Sequence, residues 1–304
     1  MTLSEKLTKS LKDLGLNPNY VEKIARETIA EDLAGGVDVT SNSTIPENQN
    51  SIAEFVSRRS GIIAGLNVAA AVLEVVGIND YQIMVSEGSQ VDADRTLLRA
   101  TGNTRSLLLA ERSALNFLGR LSGIATLTNH WVAQVKGTKT KIRDTRKTTP
   151  LLRELEKFAV RMGGGVNHRM SLSDAALIKD NHVVAAGGVA AAFNAIRVAK
   201  PNITLEVEVD SLEQLKEVVT AGAKLILLDN MSLEQCRTAV EIVGGRAELE
   251  ASGGLTIENA GAYAKTGVDY LAVGALTHSA PRSEEHTSEL QSLAYLVCRL
   301  LLEK

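Results

Sequence analysis

The chain has 304 residues and a formal net charge of −3, with an isoelectric point near 6.0. Its hydrophobic content of 44% and charged content of 23% are typical of a soluble globular protein. The slight acidity and the 3% aromatic content exclude a broad basic or stacking surface for nucleic acid, so any anion site should be a local pocket.

The N-terminal stretch, residues 1–16, is charged throughout and predicts an amphipathic helix, not a secretion signal. No apolar run reaches the ~18 residues that a membrane span needs. Cys236 and Cys298 show neither a disulfide framework nor zinc-ligand spacing. We therefore expect a soluble, cytoplasmic protein with no membrane partner.

Two regions follow one another along the chain. After the opening helix, residues 51–102 alternate short apolar runs with Gly and Asp, which predicts a modest mixed sheet. A long helical period then extends from Leu107 to Val135. We place the boundary between the two domains after residue 117.

From about residue 138, short apolar runs that end in polar or glycine-rich clusters alternate with helical segments. Their continuous Val, Ile and Leu content fits parallel strands buried on both faces. The pattern favours a β/α barrel, although a doubly wound open sheet has a similar rhythm. The six runs are TKIRDTRK (140–147), DAALIKDN (174–181), ITLEVEVD (203–210), AKLILLDN (223–230), AELEASGG (247–254) and YLAVGA (270–275).

Polar residues at the ends of these runs should meet at one edge, close to the cations around Arg146. Arg and Lys suit carboxylate and phosphate oxygens, and the glycine-containing turns offer backbone N–H groups to a phosphate. The polar strand ends are Lys179, Glu208, Asp229, Ser252–Gly254 and Gly274–Ala275.

Three ambiguities remain at the level of residue spacing. Glu206, Glu208 and Asp210 share one strand face, so spacing cannot choose among them. His168 and His182 could form a metal pair, but no third ligand has the expected spacing. We prefer a hydrogen-bond donor role for His168 and leave His182 unassigned. Arg153 and Arg161 are expected to lie mainly on solvated helix faces.

The segment KIRDTRKTTPLLRELEKFAVRMGGGVNHRMSLSDAALIKDNH, residues 141–182, resembles the core signature of the quinolinate phosphoribosyltransferase family. The resemblance covers about residues 20–281, through motifs such as AEDLAGGVDVTS, AERSALNFLGRLSGIAT, LLDNM and EASGGL. It implies an N-terminal α/β sandwich domain followed by an incomplete parallel α/β barrel, whose mouth is covered by the sandwich of a partner subunit.

The resemblance also implies a reaction in NAD biosynthesis. Quinolinate and phosphoribosyl pyrophosphate would give nicotinate mononucleotide, pyrophosphate and carbon dioxide, with magnesium as cofactor. The active protein would be a homodimer or higher homo-oligomer with shared active sites.

Residue roles follow from the same resemblance. Arg146, His168, Arg169 and Lys179 would hold the quinolinate carboxylates, and Arg112 would reach in from the neighbouring subunit. The catalytic residues would be Lys147, Glu208 and Asp229, of which the two acids would face the ribose and its magnesium. The remaining substrate-binding positions would be Thr145, Ser252, Gly253, Gly254, Val273, Gly274 and Ala275.

Residues 282–304 depart from the family pattern. The stretch RSEEHTSELQS, residues 282–292, resembles a translated sequencing adapter, which suggests an artefactual tail. The following LAYLVCRLLLEK has the apolar spacing of a helix. On this interpretation the barrel domain spans 118–281, its last residues returning to the sandwich, and the terminal strand of the sandwich sheet is missing.

Two other functions fit part of the pattern. A related phosphoribosyltransferase acting on a monocarboxylate such as nicotinate would need fewer cations than Arg112, Arg146 and Arg169 provide. A non-catalytic phosphometabolite-binding barrel would keep the glycine turns but would have no use for Glu208 and Asp229.

Overall fold

The computed structural model describes residues 2–281 and 296–301. The chain divides into two compact units. Unit 1 comprises Met1–Leu127, Glu154–Gly164 and Ala280–Lys304, and unit 2 comprises Thr128–Arg153 and Gly165–Ser279.

Unit 1 combines an antiparallel sheet with helices. Its four-stranded sheet has the order β12-β1-β5-β3, and a separate two-stranded sheet pairs β2 with β4. The sheet elements are β1 (Asn50–Ser57), β2 (Gly61–Ile62), β3 (Asp80–Ile83), β4 (Gln90–Val91), β5 (Thr96–Asn103) and β12 (Leu296–Leu301). The helices are α1 (Glu5–Asp13), α2 (Pro18–Leu33), α3 (Val39–Thr44), α4 (Leu66–Val75), α5 (Thr104–Gln134), which continues into unit 2, and α6 (Arg153–Met162).

The predicted domain boundary after residue 117 falls inside α5, earlier in the chain than the division between the units. The segment Glu154–Gly164, which the sequence pattern groups with the barrel, belongs to unit 1. The reason is the packing of α6 within unit 1. Phe158 of α6 is buried, and Glu156 forms an ion pair with Arg120 of α5, in which Oε1 and Nη2 are 2.8 Å apart. Arg161 at the end of α6 donates to the Leu14 carbonyl of unit 1, so it is not simply solvated.

The end of the chain corrects one sequence-based expectation. Residues 296–301 form strand β12, not a helix, and β12 pairs antiparallel with β1 from Ile52↔Leu301 to Ser57↔Leu296. The terminal strand of the unit 1 sheet is therefore present. Residues 282–295 and 302–304 lie outside the described residues, and the adapter origin of the tail stays a prediction.

Unit 2 is built on a parallel six-stranded sheet of order β6-β11-β10-β9-β8-β7. Its strands are β6 (Lys141–Arg143), β7 (Ala175–Ile178), β8 (Thr204–Val209), β9 (Leu225–Asp229), β10 (Glu248–Ser252) and β11 (Tyr270–Ala272). Its helices are α7 (Asp180–Ala186), α8 (Val189–Ala199), α9 (Leu212–Thr220), α10 (Leu233–Val243), α11 (Ile257–Ala264) and α12 (Ala275–His278).

The strand order distinguishes between the two folds that the sequence rhythm allowed. From β7 to β11 each strand lies beside the next in the chain, so the sheet winds in one direction without the reversal of a doubly wound fold. β6 closes on β11 at one end, and in the described part of the chain it does not pair with β7 at the other. The predicted incomplete parallel α/β barrel is confirmed.

Side-chain caps mark the starts of three helices in unit 2. Ser211, Ser232 and Thr256 each accept a hydrogen bond from the backbone N–H three residues later, at the starts of α9, α10 and α11. These caps let each helix begin soon after its strand. The polar residues at the strand ends are consequently held by short loops.

No single helix within residues 2–281 is both long and apolar enough to cross a membrane, although α7 and α8, bent by 88°, pass that test as a pair.

We expect a chain ending at Pro281 to be less stable than the full chain. Without β12, strand β1 becomes an edge whose backbone N–H and C=O groups lose their antiparallel partners. The melting temperature should fall by roughly 2–8 °C, for a loss of about 1–2 kcal/mol. A chain ending at Leu301, which keeps β12, is the matched control and should melt like the full chain. Equal melting of all three chains would show that β12 adds no stability.

Candidate active site

The carboxyl ends of four unit 2 strands lie level with one another. The register pairs Ser252 with both Asp229 and Ala272, and Ala272 with Arg143. Glu208 is paired with Leu227, two residues before Asp229, so it lies in the same register layer as Glu250. The structure thus places these predicted strand-end residues along one edge of one sheet, where parallel α/β folds carry their ligands.

The loop after β6 is anchored by Asp144, a fully buried acid that sequence reasoning did not single out. Its Oδ1 accepts the backbone N–H of His168 at 2.8 Å, and its Oδ2 accepts the Asn167 side-chain amide at 2.6 Å. This joins the Arg146–Lys147 loop to the GGGVNHR segment. Two cation-bearing loops that are separated in sequence therefore share one buried anchor.

His168 is buried, and both of its ring nitrogens have partners. Its Nδ1 accepts the backbone N–H of Arg169 at 2.7 Å, and its Nε2 lies 2.7 Å from Oε2 of Glu206. The predicted hydrogen-bond donor role for His168 thus has a protein acceptor, Glu206. A direct contact between His168 and a substrate carboxylate stays a prediction.

A buried charge cluster lies beneath the cations. Arg143 donates to Glu250 Oε2 at 2.7 Å and lies over the Tyr270 ring at 4.5 Å. Glu250 Oε1 is 3.7 Å from His168 Nε2, and Glu206 is bonded to the same nitrogen. We call Arg143, His168, Glu206 and Glu250 the sub-site cluster.

The charges of this cluster change one another's protonation. Burial raises the pKa of Glu250 to about 7, the nearby Glu206 adds to the rise, and Arg143 and His168 oppose it. Burial alone would lower the pKa of Arg143, but the attraction of Glu250 and Glu206 raises it. Burial and then repulsion from Arg146 lower the pKa of Arg169, whereas Glu206 acts in the opposite direction.

Three of these residues give the appearance of a metal site. One ligand atom each of His168, Glu206 and Glu250 lies within 4.8 Å of the others. Nδ1 of His168 already accepts an N–H from Arg169, and Nε2 lies 2.7 Å from Glu206. Both ring nitrogens thus have partners within the protein.

Lys179 and Glu208 form an ion pair at the site edge. Nζ of Lys179 is 2.6 Å from Oε2 of Glu208, and the lysine side chain remains 47% exposed. His182, which the sequence left unassigned, accepts the backbone N–H of Lys179 at 3.0 Å through Nδ1. Both histidines therefore orient the backbone of a predicted substrate-binding cation.

Two glycine-containing turns follow β10 and β11. Gly253 has φ +88°, and a Cβ there would lie 2.0 Å from Oδ1 of Asn230, so glycine is required. Asn230 in turn donates to Asp229 at 2.8 Å. At the second turn, a Cβ on Gly274 would lie 3.1 Å from Cδ of Lys147. The predicted phosphate turns thus lie against the predicted catalytic residues Asp229 and Lys147.

The remaining predicted residues occupy four places. Thr145 accepts the Lys147 backbone N–H at 3.1 Å, and the Lys147 carbonyl accepts the Thr277 hydroxyl at 2.7 Å. Arg112 lies on α5 in unit 1 and is exposed. Arg153 donates to Thr148 and to the Met170 carbonyl, which gives it a structural role in unit 2. Val273 and Ala275 flank Gly274 in the second turn.

Sequence reasoning missed Asp144 and Glu250 and could not separate Glu206 from Glu208. The sequence offers a partial signal for Glu250, which lies between the apolar residues Leu249 and Ala251 in its strand. Glu250 also lies two residues before Ser252, hence on the same strand face as a predicted site residue.

The fold and site together define a class of protein: an α/β-barrel protein with a polar, cation-rich site at the carboxyl ends of its strands. The chain matches the N-terminal domain of quinolinate phosphoribosyl transferase over residues 38–122 and the C-terminal domain over residues 124–284.

Individual relatives agree with this match. A protein from Mycobacterium leprae named nicotinate-nucleotide pyrophosphorylase [carboxylating] is 52% identical over 260 residues, which cover 84% of this chain and 92% of the relative. A Bacillus subtilis protein, described as probably the same enzyme, is 39% identical over 266 residues, or 87% and 91% of the two chains. The nicotinate-nucleotide pyrophosphorylase structure from Francisella tularensis superposes with a TM-score of 0.85 at 37% identity, covering 93% of this chain and 96% of that one. The chain belongs to the quinolinate phosphoribosyl transferase family.

The raised pKa of Glu250 predicts a pH-dependent stability. Because its folded pKa of about 7 exceeds the ordinary value of 4.5, the folded state holds the extra proton between these values. The contribution of Glu250 to stability is therefore present below about pH 4.5 and is lost as the pH rises to about 7. Replacing Glu250 by Gln should remove this pH dependence, so the difference in unfolding free energy between pH 5 and pH 8 should shrink by about 2–3 kcal/mol. The variant should be less stable overall, because Arg143 loses its charged partner.

Urea unfolding at pH 5 and pH 8 measures this difference. Glu248→Gln, an exposed position on the same strand, is the control and should keep the wild-type pH dependence. An unchanged pH dependence in Glu250→Gln would contradict the assignment of the proton to Glu250.

Proposed function

We propose that this protein transfers the phosphoribosyl group of phosphoribosyl pyrophosphate to quinolinate and decarboxylates the product. Nicotinate mononucleotide, pyrophosphate and carbon dioxide result, a step of de novo NAD biosynthesis. The observation that carries the proposal is the concentration of cations at the strand-end edge of a chain that belongs to this family. The cations are Arg146, Lys147, Arg169 and Lys179.

Quinolinate carries two carboxylates on a small ring, so its site needs several donors at fixed angles. Arg146 and Arg169 provide planar guanidinium groups, and Lys179 provides a compact charge. Arg169 is already oriented, because its Nη1 donates to the Ala175 carbonyl at 3.0 Å. We assign these three residues to the substrate carboxylates, with His168 directly beside Arg169.

Glu208 and Asp229 are the acids for the ribose. They lie on neighbouring strands, Asp229 as the last residue of β9 and Glu208 as the penultimate residue of β8, and the Glu208 side chain is 14% exposed. Carboxylate oxygens are ligands that magnesium accepts, and magnesium commonly combines one or two of them with substrate phosphates and water. The pair therefore fits a magnesium ion, which when bound would neutralise pyrophosphate charge.

Binding of quinolinate would compete for the Lys179–Glu208 ion pair. As a carboxylate approaches Lys179, Glu208 is released toward the ribose, where its charge stabilises the positive charge that develops at the anomeric carbon. Lys147 lies against the second glycine turn, near the reacting groups. The phosphate of the co-substrate is assigned to the turns at Ser252–Gly254 and Val273–Ala275.

The proposed reaction needs no strong general acid or general base. The ring nitrogen of quinolinate attacks the anomeric carbon as pyrophosphate leaves. The resulting pyridinium then stabilises the ring carbanion formed as carbon dioxide departs. Positioning of the two substrates and electrostatic stabilisation are the contributions expected of the protein.

We also propose that the enzyme is cytoplasmic and works as a homodimer or larger homo-oligomer in which Arg112 serves a neighbouring active site. The exposure of Arg112 on α5 supports this, since a substrate-binding arginine needs a surface that an incoming subunit can share.

Arg169→Ala should selectively weaken quinolinate binding. Removing one partner of a desolvated charge pair costs about 2–5 kcal/mol, while the co-substrate does not use this residue. The measurement is KM for each substrate, from release of labelled carbon dioxide with magnesium present. Equal increases in both KM values would contradict the assignment of Arg169 to quinolinate.

The same assay tests the proposed reaction on the wild-type protein. Formation of nicotinate mononucleotide from nicotinate is the comparison, because nicotinate lacks the second carboxylate. Comparable turnover of the two acids would favour the monocarboxylate alternative. Binding of phosphoribosyl pyrophosphate without turnover of either acid would favour a non-catalytic binding protein.

Mixing Arg112→Ala protein with Lys147→Ala protein should restore activity. If Arg112 acts in trans, a mixed dimer has one site with both defects and one site with neither. Random exchange then gives about a quarter of the wild-type activity from two inactive proteins. Carbon dioxide release after mixing is the measurement. Continued inactivity, with subunit exchange verified by mass spectrometry, would show that Arg112 acts in its own subunit or not at all.

A further inference from the structure

Arg153 makes hydrogen bonds to two different loops of unit 2. Its Nε donates to Oγ1 of Thr148 at 3.0 Å, and its Nη1 donates to the Met170 carbonyl at 3.0 Å. Both bonds are partly buried, so they are stronger than they would be in open water. Thr148 follows Lys147 in the loop after β6, and Met170 follows Arg169 in the segment before β7. The guanidinium therefore spans the two loops that carry predicted substrate cations.

On the Thr148 side, the bridge reaches the backbone of Arg146. The Thr148 N–H donates to the Arg146 carbonyl at 3.0 Å, which closes a three-residue turn around Lys147. The Thr145 hydroxyl oxygen accepts the Lys147 backbone N–H at 3.1 Å within the same loop. A shift of Thr148 would therefore move the turn that carries both Arg146 and Lys147.

On the Met170 side, the backbone is fixed from two directions. The Met170 N–H donates to Oδ2 of Asp174 at 2.7 Å, while its carbonyl accepts from Arg153. The side chain of the preceding residue, Arg169, donates through Nη1 to the Ala175 carbonyl at 3.0 Å. The peptide that follows Arg169 is thus tied at both its ends, which limits the positions open to the Arg169 guanidinium.

The two cations that the bridge connects repel each other. Burial, and after it repulsion from Arg146, lower the pKa of Arg169. Like charges on separate loops favour a larger separation unless the loops are held together. Quinolinate carries its two carboxylates on adjacent ring carbons, so the guanidinium groups need a matching separation before the substrate arrives. A connection between the loops supplies that separation in advance.

We propose that Arg153 is a positioning residue for the quinolinate site: its guanidinium holds the Arg146 loop and the Arg169 segment at the separation that the two substrate carboxylates require. The inference rests on the proposed function and extends it to an arginine that is assigned to neither substrate. The sequence pattern predicted a solvated helix face for Arg153. Arg153 is instead the first residue of α6, and its side chain reaches the strand-end loops.

Arg153→Lys breaks the bridge but keeps the positive charge. Lysine has one side-chain nitrogen, so it cannot reproduce donors at both Nε and Nη1. KM for quinolinate should rise about tenfold or more, with less than about threefold change for phosphoribosyl pyrophosphate, as measured by carbon dioxide release. Arg237→Lys, at an exposed position on α10, is the matched control and should change neither KM. Equal changes for the two substrates, or none, would overturn the positioning role.

Two variants of Thr148 test the other end of the bridge without changing any charge. Thr148→Val replaces the acceptor hydroxyl by a methyl group and should raise KM for quinolinate, whereas Thr148→Ser keeps the hydroxyl and should stay within about twofold of wild type. Both variants leave Arg153 in place, so they carry the test even where Arg153→Lys folds poorly. A Thr148→Val enzyme that matches wild type would contradict the proposal.

The double variant distinguishes a bridge from a direct contact of Arg153 with substrate. Adding Thr148→Val to Arg153→Lys should change KM for quinolinate by less than about twofold beyond the larger single effect, because the connection is already broken. If the two single effects multiply in the double variant, the residues act independently and the bridge is refuted.

A measurement without substrate separates the bridge from the proposed reaction. In nitrogen NMR of protein labelled at arginine, the Nε–H of Arg153, assigned by its loss in Arg153→Lys, should exchange with water more slowly than that of Arg237. Thr148→Val should remove this protection, and Thr148→Ser should keep it. Equally fast exchange of Arg153 and Arg237 in the wild type would overturn the proposal. Slow exchange in a wild-type protein that releases no carbon dioxide would support the bridge and refute the proposed reaction.

Discussion

The ion pair between Arg143 and Glu250 is the constraint on which the rest of the site depends. Each side chain is at least 85% buried, and a buried charge without its partner is costly. Their pairing allows a second acid, Glu206, to lie nearby, 2.7 Å from Nε2 of His168. The other ring nitrogen of His168 accepts the backbone N–H of Arg169. The buried charge pair is thus connected by direct contacts to the backbone of a predicted substrate-binding cation.

The site has two layers, a holding layer of buried residues that support the loops and a binding layer of cations proposed to contact the substrate. The holding layer contains Asp144 and the sub-site cluster, all with partners inside the protein. The binding layer contains cations whose charges remain available at the strand ends. Two histidines connect the layers by the same device, since the rings of His168 and His182 accept the backbone N–H groups of Arg169 and Lys179.

The sequence predicted the strand-end residues because a parallel sheet places every carboxyl end on one edge. Lys179, Asp229 and Ser252 needed only the assignment of a strand and its last residue. Glu206 and Glu208 could not be separated, because a period of two puts both on one face and burial depends on how far β8 extends beyond its neighbours. Glu250 was missed because its partners Arg143 and His168 come from distant segments, and no local pattern records such a pairing.

Differences between the sequence pattern and the compact units have a similar physical origin. The segment Glu154–Gly164 follows the barrel rhythm in sequence, but α6 makes its buried contacts with α5 and the N-terminal region of unit 1. Similarly, the apolar spacing near the C-terminus is compatible with a helix, but the open edge of β1 offers backbone partners that a helix cannot use. In both cases the local periodicity was compatible with a helix. Contacts with distant segments decided that α6 belongs to unit 1 and that residues 296–301 form a strand. The same holds at the active site, where the strand-end edge follows from local pattern. Its supporting layer follows from contacts between separate segments, such as Asp144 with His168 at a separation of 24 and Arg143 with Glu250 at a separation of 107.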